Sequence, residues 1–102
     1  MQINMEIEFQ IYANLRQFLG FKIKKIEVEK NITVLSVLNK IRDSEPNGVQ
    51  FYKEIIDADS KKLVEYVKII INGHILFADK ALSTVIDQEG TIFAVFPPIG
   101  GG

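Results

Sequence analysis

The N-terminal segment alternates between apolar and polar residues. Its odd positions carry Ile3, Met5, Ile7, Phe9 and Ile11. Its even positions are polar as far as Tyr12, which ends the series. A period of two is typical of a strand that buries one face. The segment therefore predicts a first strand whose odd residues point into a core.

The next segment changes from a strand pattern to a helical one. After a turn at Gly20, residues 21–30 predict a second strand that places Ile26 and Val28 on one face. The apolar residues that follow have the spacing of a helix packed on one side. They are Val34, Val37, Leu38 and Ile41. Thr33 is the predicted N-cap, and residues 46–48, Pro-Asn-Gly, end the helix.

The segment from Val49 to Tyr66 is less regular. Phe51 and Ile55 lie four residues apart, as do Tyr52 and Ile56, which favours a short second helix. Residues 57–62 are mostly charged, so we expect a solvated loop there.

The C-terminal third predicts a hairpin and a last strand. Asn72-Gly73 separates two apolar runs and indicates a type I′ turn, because both central residues of that turn need positive φ. Ile70 should then face Ile75, and Ile71 should face His74. Residues 82–86 are expected to form one irregular turn. Residues 88–90 form another turn, and residues 91–96 a strand that prolines end.

The order of elements predicts an α+β domain, with a sheet covered by helices on one side. Composition fits a single domain: 102 residues, 47% hydrophobic, 25% charged and a net charge of −1. We assign residues 1–96 to the domain and 97–102 to a flexible, glycine-rich tail. The balanced charge gives no support to nucleic acid as a partner. No apolar run approaches the ~18 residues of a membrane span, so no membrane partner is expected.

Cysteine is absent, which excludes disulfides and zinc–thiolate sites and fits a reducing, cytoplasmic setting. Any sulfur chemistry must therefore occur away from a thiol of this chain. His74 is the sole histidine, and the aspartates at 57, 59 and 87 do not have the spacing of a calcium loop. We predict no metal site and no bound cofactor.

The tail carries the candidate chemistry. Residues 90–102 contain no charged side chain and finish with Gly100, Gly101 and Gly102. A peptide without Cβ atoms can pass through a narrow channel and present its carboxylate to a nucleotide. Adenylation by a partner enzyme would activate that carboxylate for attack by a sulfur nucleophile or by a lysine amine. The alternative is an inert linker or an unstructured end.

Several motifs in matching order resemble the MoaD/ThiS family of ubiquitin-like sulfur carriers. The most specific is the Phe-Pro-Pro…Gly-Gly ending at residues 96–102. Weaker matches are Ile11-Tyr12-Ala13-Asn14-Leu15-Arg16, Thr33-Val34, Ile71-Asn72-Gly73 and Gln88-Glu89-Gly90. The resemblance implies a β-grasp fold, with a mixed sheet, one main covering helix and a short second helix.

The resemblance also implies partners and a mechanism. A MoeB-like adenylating enzyme would use MgATP, and a sulfur donor would convert the terminal carboxylate into a thiocarboxylate. In the MoaD branch, a MoaE-like large subunit takes the sulfur, and the chain is the small subunit of molybdopterin synthase, not an enzyme on its own. In the ThiS branch the sulfur goes to thiazole. In the archaeal modifier branch the glycine is conjugated to lysines. A β-grasp binding module with an inert tail is a further alternative.

Most site residues follow from the same resemblance. Gly102 matches the reactive glycine and Gly101 its neighbour. Phe96, Tyr12 and Ile75 match apolar positions that family members use against their partners, and Pro97, Pro98 and Ile99 belong to the matching ending. Ile70 is added because the predicted hairpin places it opposite Ile75. These seven are the predicted partner-binding residues. Gly100 departs from the more usual Ala or Ser, and the chain is longer than compact members, mostly between residues 43 and 66.

Overall fold

The computed structural model describes residues 4–98. The strands are β1 (Asn4–Ile11), β2 (Ile23–Glu29), β3 (Ile32–Thr33), β4 (Lys68–Ile71), β5 (His74–Ile75), β6 (Val85–Ile86) and β7 (Ile92–Phe96). The helices are α1 (Arg16–Leu19), α2 (Val34–Ser44), α3 (Gly48–Ile55) and α4 (Ala78–Ala81). A 3₁₀ turn spans Ala13–Leu15.

The main sheet is mixed and has the strand order β2-β1-β7-β4-β5. β1 and β7 pair in parallel, with Phe9 opposite Phe93 and Ile11 opposite Val95. The other neighbours pair antiparallel. The last strand therefore lies in the middle of the sheet, between the first strand and the hairpin.

The core lies between this sheet and the helices. Its largest fully buried side chains are Phe9, Phe51, Phe93, Ile7, Ile11, Leu15, Leu38, Ile41, Ile55 and Ile69. The Phe9 ring lies 5.4 Å from that of Phe93 and 6.1 Å from that of Phe51, between centroids. Helix α3 thus packs onto the same aromatic centre that joins the two parallel strands.

The structure confirms the predicted helices and the hairpin register. The Thr33 side chain accepts a hydrogen bond from the backbone N–H of Ser36, at 3.1 Å, and so caps α2. Ile70 pairs with Ile75 and Ile71 with His74, as the two-residue turn requires.

The prediction of a single irregular turn at residues 82–86 is wrong. α4 precedes this segment, and Val85–Ile86 forms β6, which pairs with β3 in a second, two-stranded sheet. The segment also completes α2. The backbone N–H groups of Val34 and Leu35 donate to the carbonyls of Thr84 and Leu82, at 2.9 and 3.0 Å. The first turn of a helix has N–H groups without intrahelical partners, and this loop satisfies two of them.

Gly48 is required by the close approach of α3 to the end of α2. A Cβ atom placed there would lie 2.4 Å from the carbonyl oxygen of Arg42 and 2.5 Å from that of Ile41. We expect Gly48→Ala to lower the free energy of unfolding by about 1–3 kcal/mol, the usual cost of overpacking. Helix propensity alone would favour alanine by about 1 kcal/mol, so the sign of the change is informative.

Urea unfolding of the two variants Gly48→Ala and Gln50→Ala would test this. Gln50 is exposed on the same helix, so its substitution should change stability by less than about 0.5 kcal/mol. A Gly48→Ala protein as stable as the wild type would contradict the proposed clash.

Candidate functional site

The face of the sheet opposite the core carries an apolar stripe. Its members come from three adjacent strands, β7, β4 and β5, and from the residue after β1. They are Tyr12, Ile70, Ile75, Ile92, Ala94 and Phe96, which we call the outer patch. The register joins them, because Ala94 pairs with both Gln10 and Ile70, and Ile70 pairs with Ile75.

An aromatic stack lies at one end of the outer patch. The rings of Tyr12 and Phe96 are nearly parallel, at 7°, with centroids 4.1 Å apart. Arg16 donates from Nε to the carbonyl of Ile11, at 3.0 Å, and its guanidinium lies 5.5 Å from the centre of the Tyr12 ring. The stack therefore has contacts on the side of β1 as well as of β7.

Polar side chains fix the free end of the tyrosine. Its hydroxyl donates to Oε1 of Gln10, at 2.6 Å, and the Gln10 amide donates to the carboxylate of Glu8. These residues alternate along the outer face of β1. They hold the Tyr12 ring in one orientation, so the stack is organised before any partner arrives.

Two of the remaining residues of the patch are open to solvent. Ile75 is 60% exposed and Ile92 is 40% exposed, whereas Ile70 is half-buried. Ala94 is buried among its larger neighbours. Contiguous apolar exposure on a small protein is typical of a protein–protein contact. The structure thus brings together Tyr12, Ile70, Ile75 and Phe96, all four of which the sequence analysis had assigned to partner binding.

The tail begins at this patch. Phe96 is the last residue of β7, Pro97 is buried and Pro98 is exposed. Pro97 therefore packs onto the body in the free chain and offers little surface. Ile99, Gly101 and Gly102 lie outside the described residues, so their assignments stay predictions.

Several exposed apolar residues were not assigned to the site from the sequence, and Ile92 and Tyr66 are two of them. Ile92 has the same parity as Ala94 and Phe96, and that parity could have included it. Tyr66 precedes β4 in the chain, is 68% exposed and has a φ of 70°. Residues other than Gly, Asn and Asp seldom adopt that backbone conformation. No sequence pattern predicts it.

No second kind of site emerges from residues 4–98. They hold no group of three or more acidic or histidine side chains that could bind a metal ion. None of their helices combines the length and apolar character needed to cross a bilayer. The hydrogen bond from Arg42 lowers the pKa of the Asp43 carboxyl, but this pair is exposed on α2, away from the outer patch.

Comparison with known proteins now identifies the family. The model of the ThiS family matches residues 9–102, which includes both the outer patch and the terminal glycines. The chain belongs to the ThiS family. Members of this ThiS/MoaD group are small sulfur-carrier or modifier-like proteins.

Named relatives support the assignment to the ThiS family. Small archaeal modifier protein 3 of Haloferax volcanii is 30% identical over 98 residues, covering 96% of this chain and 100% of the relative. The solution structure of the Haloferax volcanii HVO 2177 protein has a TM-score of 0.78 at 25% identity. The match covers 97% of this chain and 88% of the HVO 2177 chain.

A third neighbour carries a different name. A putative molybdopterin converting factor, subunit 1, from Pyrococcus furiosus has a TM-score of 0.69 at 21% identity. The match covers 93% of this chain and 99% of that one, and at this identity it bears on the fold alone. The predicted β-grasp, ubiquitin-like α+β fold is confirmed.

The aromatic stack can be measured by a double-mutant cycle. We expect Tyr12→Leu and Phe96→Leu to be coupled by about 0.5–1.5 kcal/mol in the free energy of unfolding, because each removes the same ring–ring contact. Urea unfolding of both single variants and the double variant gives the coupling.

A cycle between Tyr12→Leu and Ile75→Ala provides the control. These residues are three strand spacings apart, roughly 14 Å, so their effects should add. Equal coupling in both cycles would mean that the stack has no specific role in stability.

Proposed function

We propose that the carboxylate of Gly102 is the reactive group of this ThiS-family protein. A MoeB-like partner binds MgATP, and the carboxylate attacks the α-phosphate to give an acyl adenylate and pyrophosphate. A donor of sulfide then attacks the acyl carbon, the C–O bond to AMP breaks, and AMP leaves behind a thiocarboxylate. The observation that carries this proposal is the family match that continues through the three terminal glycines.

The first destination we propose for the sulfur is a MoaE-like large subunit. The chain would then act as the small subunit of molybdopterin synthase and deliver sulfur from Gly102. The fold-level likeness to the Pyrococcus furiosus protein is compatible with this role.

A glycine tail needs help to enter an active site. Fixing the backbone of each residue costs about 1–2 kcal/mol, and glycines have no side chains with which to offset it. The outer patch is suited to supply this free energy. Full burial of a large apolar side chain is worth about 1.5–3 kcal/mol, and Ile75 and Ile92 are both exposed in the free chain.

The position of the patch also favours this role. Phe96 belongs to the patch and is separated from Gly102 by six residues of chain, which span at most roughly 20 Å. A partner that holds the patch therefore confines the carboxylate to a small volume. Docking and delivery of the tail become one binding event.

A second candidate function is protein modification. The full-length likeness to a protein named as a small archaeal modifier favours it. Activation of Gly102 would be the same in both cases. The difference is the acceptor, which would be a lysine amine instead of a sulfur donor, and the product an isopeptide.

The terminal residue can be tested directly. We expect deletion of Gly102, or extension by one alanine, to abolish adenylation by a MoeB-like enzyme, measured as ATP–pyrophosphate exchange. The unfolding midpoint should not change. With the intact chain, the activating enzyme and a sulfur source, mass spectrometry should show the increase in mass that results when sulfur replaces one oxygen of the terminal carboxylate.

The outcomes separate the candidates. Higher-mass isopeptide products would support modification instead of sulfur carriage. Adenylation of the shortened chain would overturn the assignment of Gly102, and an intact chain that no activating enzyme accepts would favour an inert tail.

The outer patch can be tested at its aromatic end. We expect Phe96→Asp to weaken binding of the activating partner by roughly 30-fold or more, as for a hot-spot residue worth ~2 kcal/mol. The reason is that a carboxylate would have to be desolvated in the interface. Titration calorimetry gives the affinity, and Lys53→Asp, at an exposed position of α3, is the control. Unchanged affinity for a folded Phe96→Asp protein would remove the patch from the docking surface.

A further inference from the structure

The outer edge of β2 is unpaired among the described residues. β2 is the end strand of the main sheet and pairs only with β1. The N–H of Ile11 donates to the carbonyl of Lys22, at 2.9 Å, which fixes the alternation of the ladder. By that alternation, even-numbered residues of β2 direct their backbone groups towards β1.

The hydrogen bonds on the other side of β1 fit the same alternation, because there the even-numbered residues of β1 direct their backbone groups away from β2. The N–H of Glu8 donates to the carbonyl of Thr91, and the carbonyl of Glu6 accepts from Gly90, both at 2.8 Å. Odd-numbered residues of β2 therefore direct their backbone N–H and C=O groups to the free edge. These residues are Ile23, Lys25, Glu27 and Glu29. An edge of this kind is a template for another strand.

A groove runs beside this edge, between β2 and α2. Its volume is about 340 Å³, and Ile26 and Ile41 line it. The ion pair of Lys24 with Glu45, at 2.8 Å, joins β2 to the residue that ends α2. On the other face of the sheet, Ile23 is 56% exposed. The edge thus presents apolar surface on both faces of the sheet.

The charges along β2 are divided by sign. Within β2, lysines occupy positions 24 and 25, and glutamates occupy positions 27 and 29. This order is complementary to itself when two copies run antiparallel. Within the sheet, Glu27 lies directly opposite Glu6, which is an unfavourable like-charge arrangement, and its carboxylate accepts a hydrogen bond from the amide of Asn4, at 3.0 Å. A lysine from outside the sheet would offset that repulsion.

We propose that β2 pairs antiparallel with β2 of a second copy of this chain, with Ile26 at the two-fold axis. In this register Lys25 of each copy lies opposite Glu27 of the other, and Ile26 meets its own equivalent over the grooves. Moving the axis to Lys25 would place two lysines opposite each other. Moving the axis to Glu27 would place two glutamates opposite each other. Charge therefore selects the register centred on Ile26.

The resulting dimer leaves the outer patch accessible. The patch is centred on β7, β4 and β5, whereas the contact uses the opposite edge of the sheet. Both copies therefore keep their tails and docking surfaces. The contact is isologous, so it closes after two copies. Its area is limited to one strand and its flanks, which places it among small, weak interfaces.

Exchanging the charges of Lys25 and Glu27 tests the proposed dimer independently of any reaction at Gly102. Analytical ultracentrifugation of the full chain should show a monomer–dimer equilibrium. Lys25→Glu and Glu27→Lys should each weaken it at least tenfold, because each creates two like-charge pairs. The double variant Lys25→Glu/Glu27→Lys should restore it, and an equimolar mixture of the two single variants should form heterodimers. Lys53→Glu, with the same change in charge on α3, should dimerise like the wild type.

Hydrogen exchange gives a test without substitutions. The amides of Ile23, Lys25 and Glu27 should become protected as the protein concentration rises, whereas those of Lys24 and Ile26 should be protected throughout. A chain that stays monomeric at millimolar concentration would overturn the proposal. So would single variants that dimerise normally, or a double variant that does not recover.

Discussion

The parallel pairing of β1 with β7 is the interaction on which the rest of the molecule depends. It places Phe9 beside Phe93 in the core, where Phe51 of α3 also packs. The same strand β7 points Phe96 outward onto Tyr12. One strand thus fixes the aromatic core, the aromatic end of the outer patch and the root of the tail. Any change in its register would disturb all three together.

The parts that the sequence predicted are those with local causes. The alternation over residues 4–11, the cap at Thr33 and the Asn72-Gly73 turn each act over a few residues, and each appears as expected. The assignment of both Phe96 and Tyr12 to one partner-binding surface came from the family resemblance. No local pattern could give the parallel register that sets these two rings 4.1 Å apart.

The parts that escaped prediction depend on distant contacts or on very short elements. β3 and β6 have two residues each, too few to show a period. Their pairing is supported by the loop that caps α2 from almost fifty positions further along the chain. The sequence showed that Gly48 belongs to a turn. It did not show that a side chain is excluded there, because the carbonyl groups that leave no room for a Cβ atom belong to the end of α2. The strained φ of Tyr66 likewise has no local sequence signal.

The central place of β7 has a consequence for how the protein is made. A ribosome synthesises the N-terminal strand first, yet that strand finds its parallel neighbour only after Phe96 has been added and released. Until then β1 can pair only with β2, and its other edge stays open to aggregation or to chaperones. Translation that stops early yields a polypeptide without a closed sheet and without glycines behind it. An incomplete chain therefore exposes the edge of β1 that β7 covers in the finished fold.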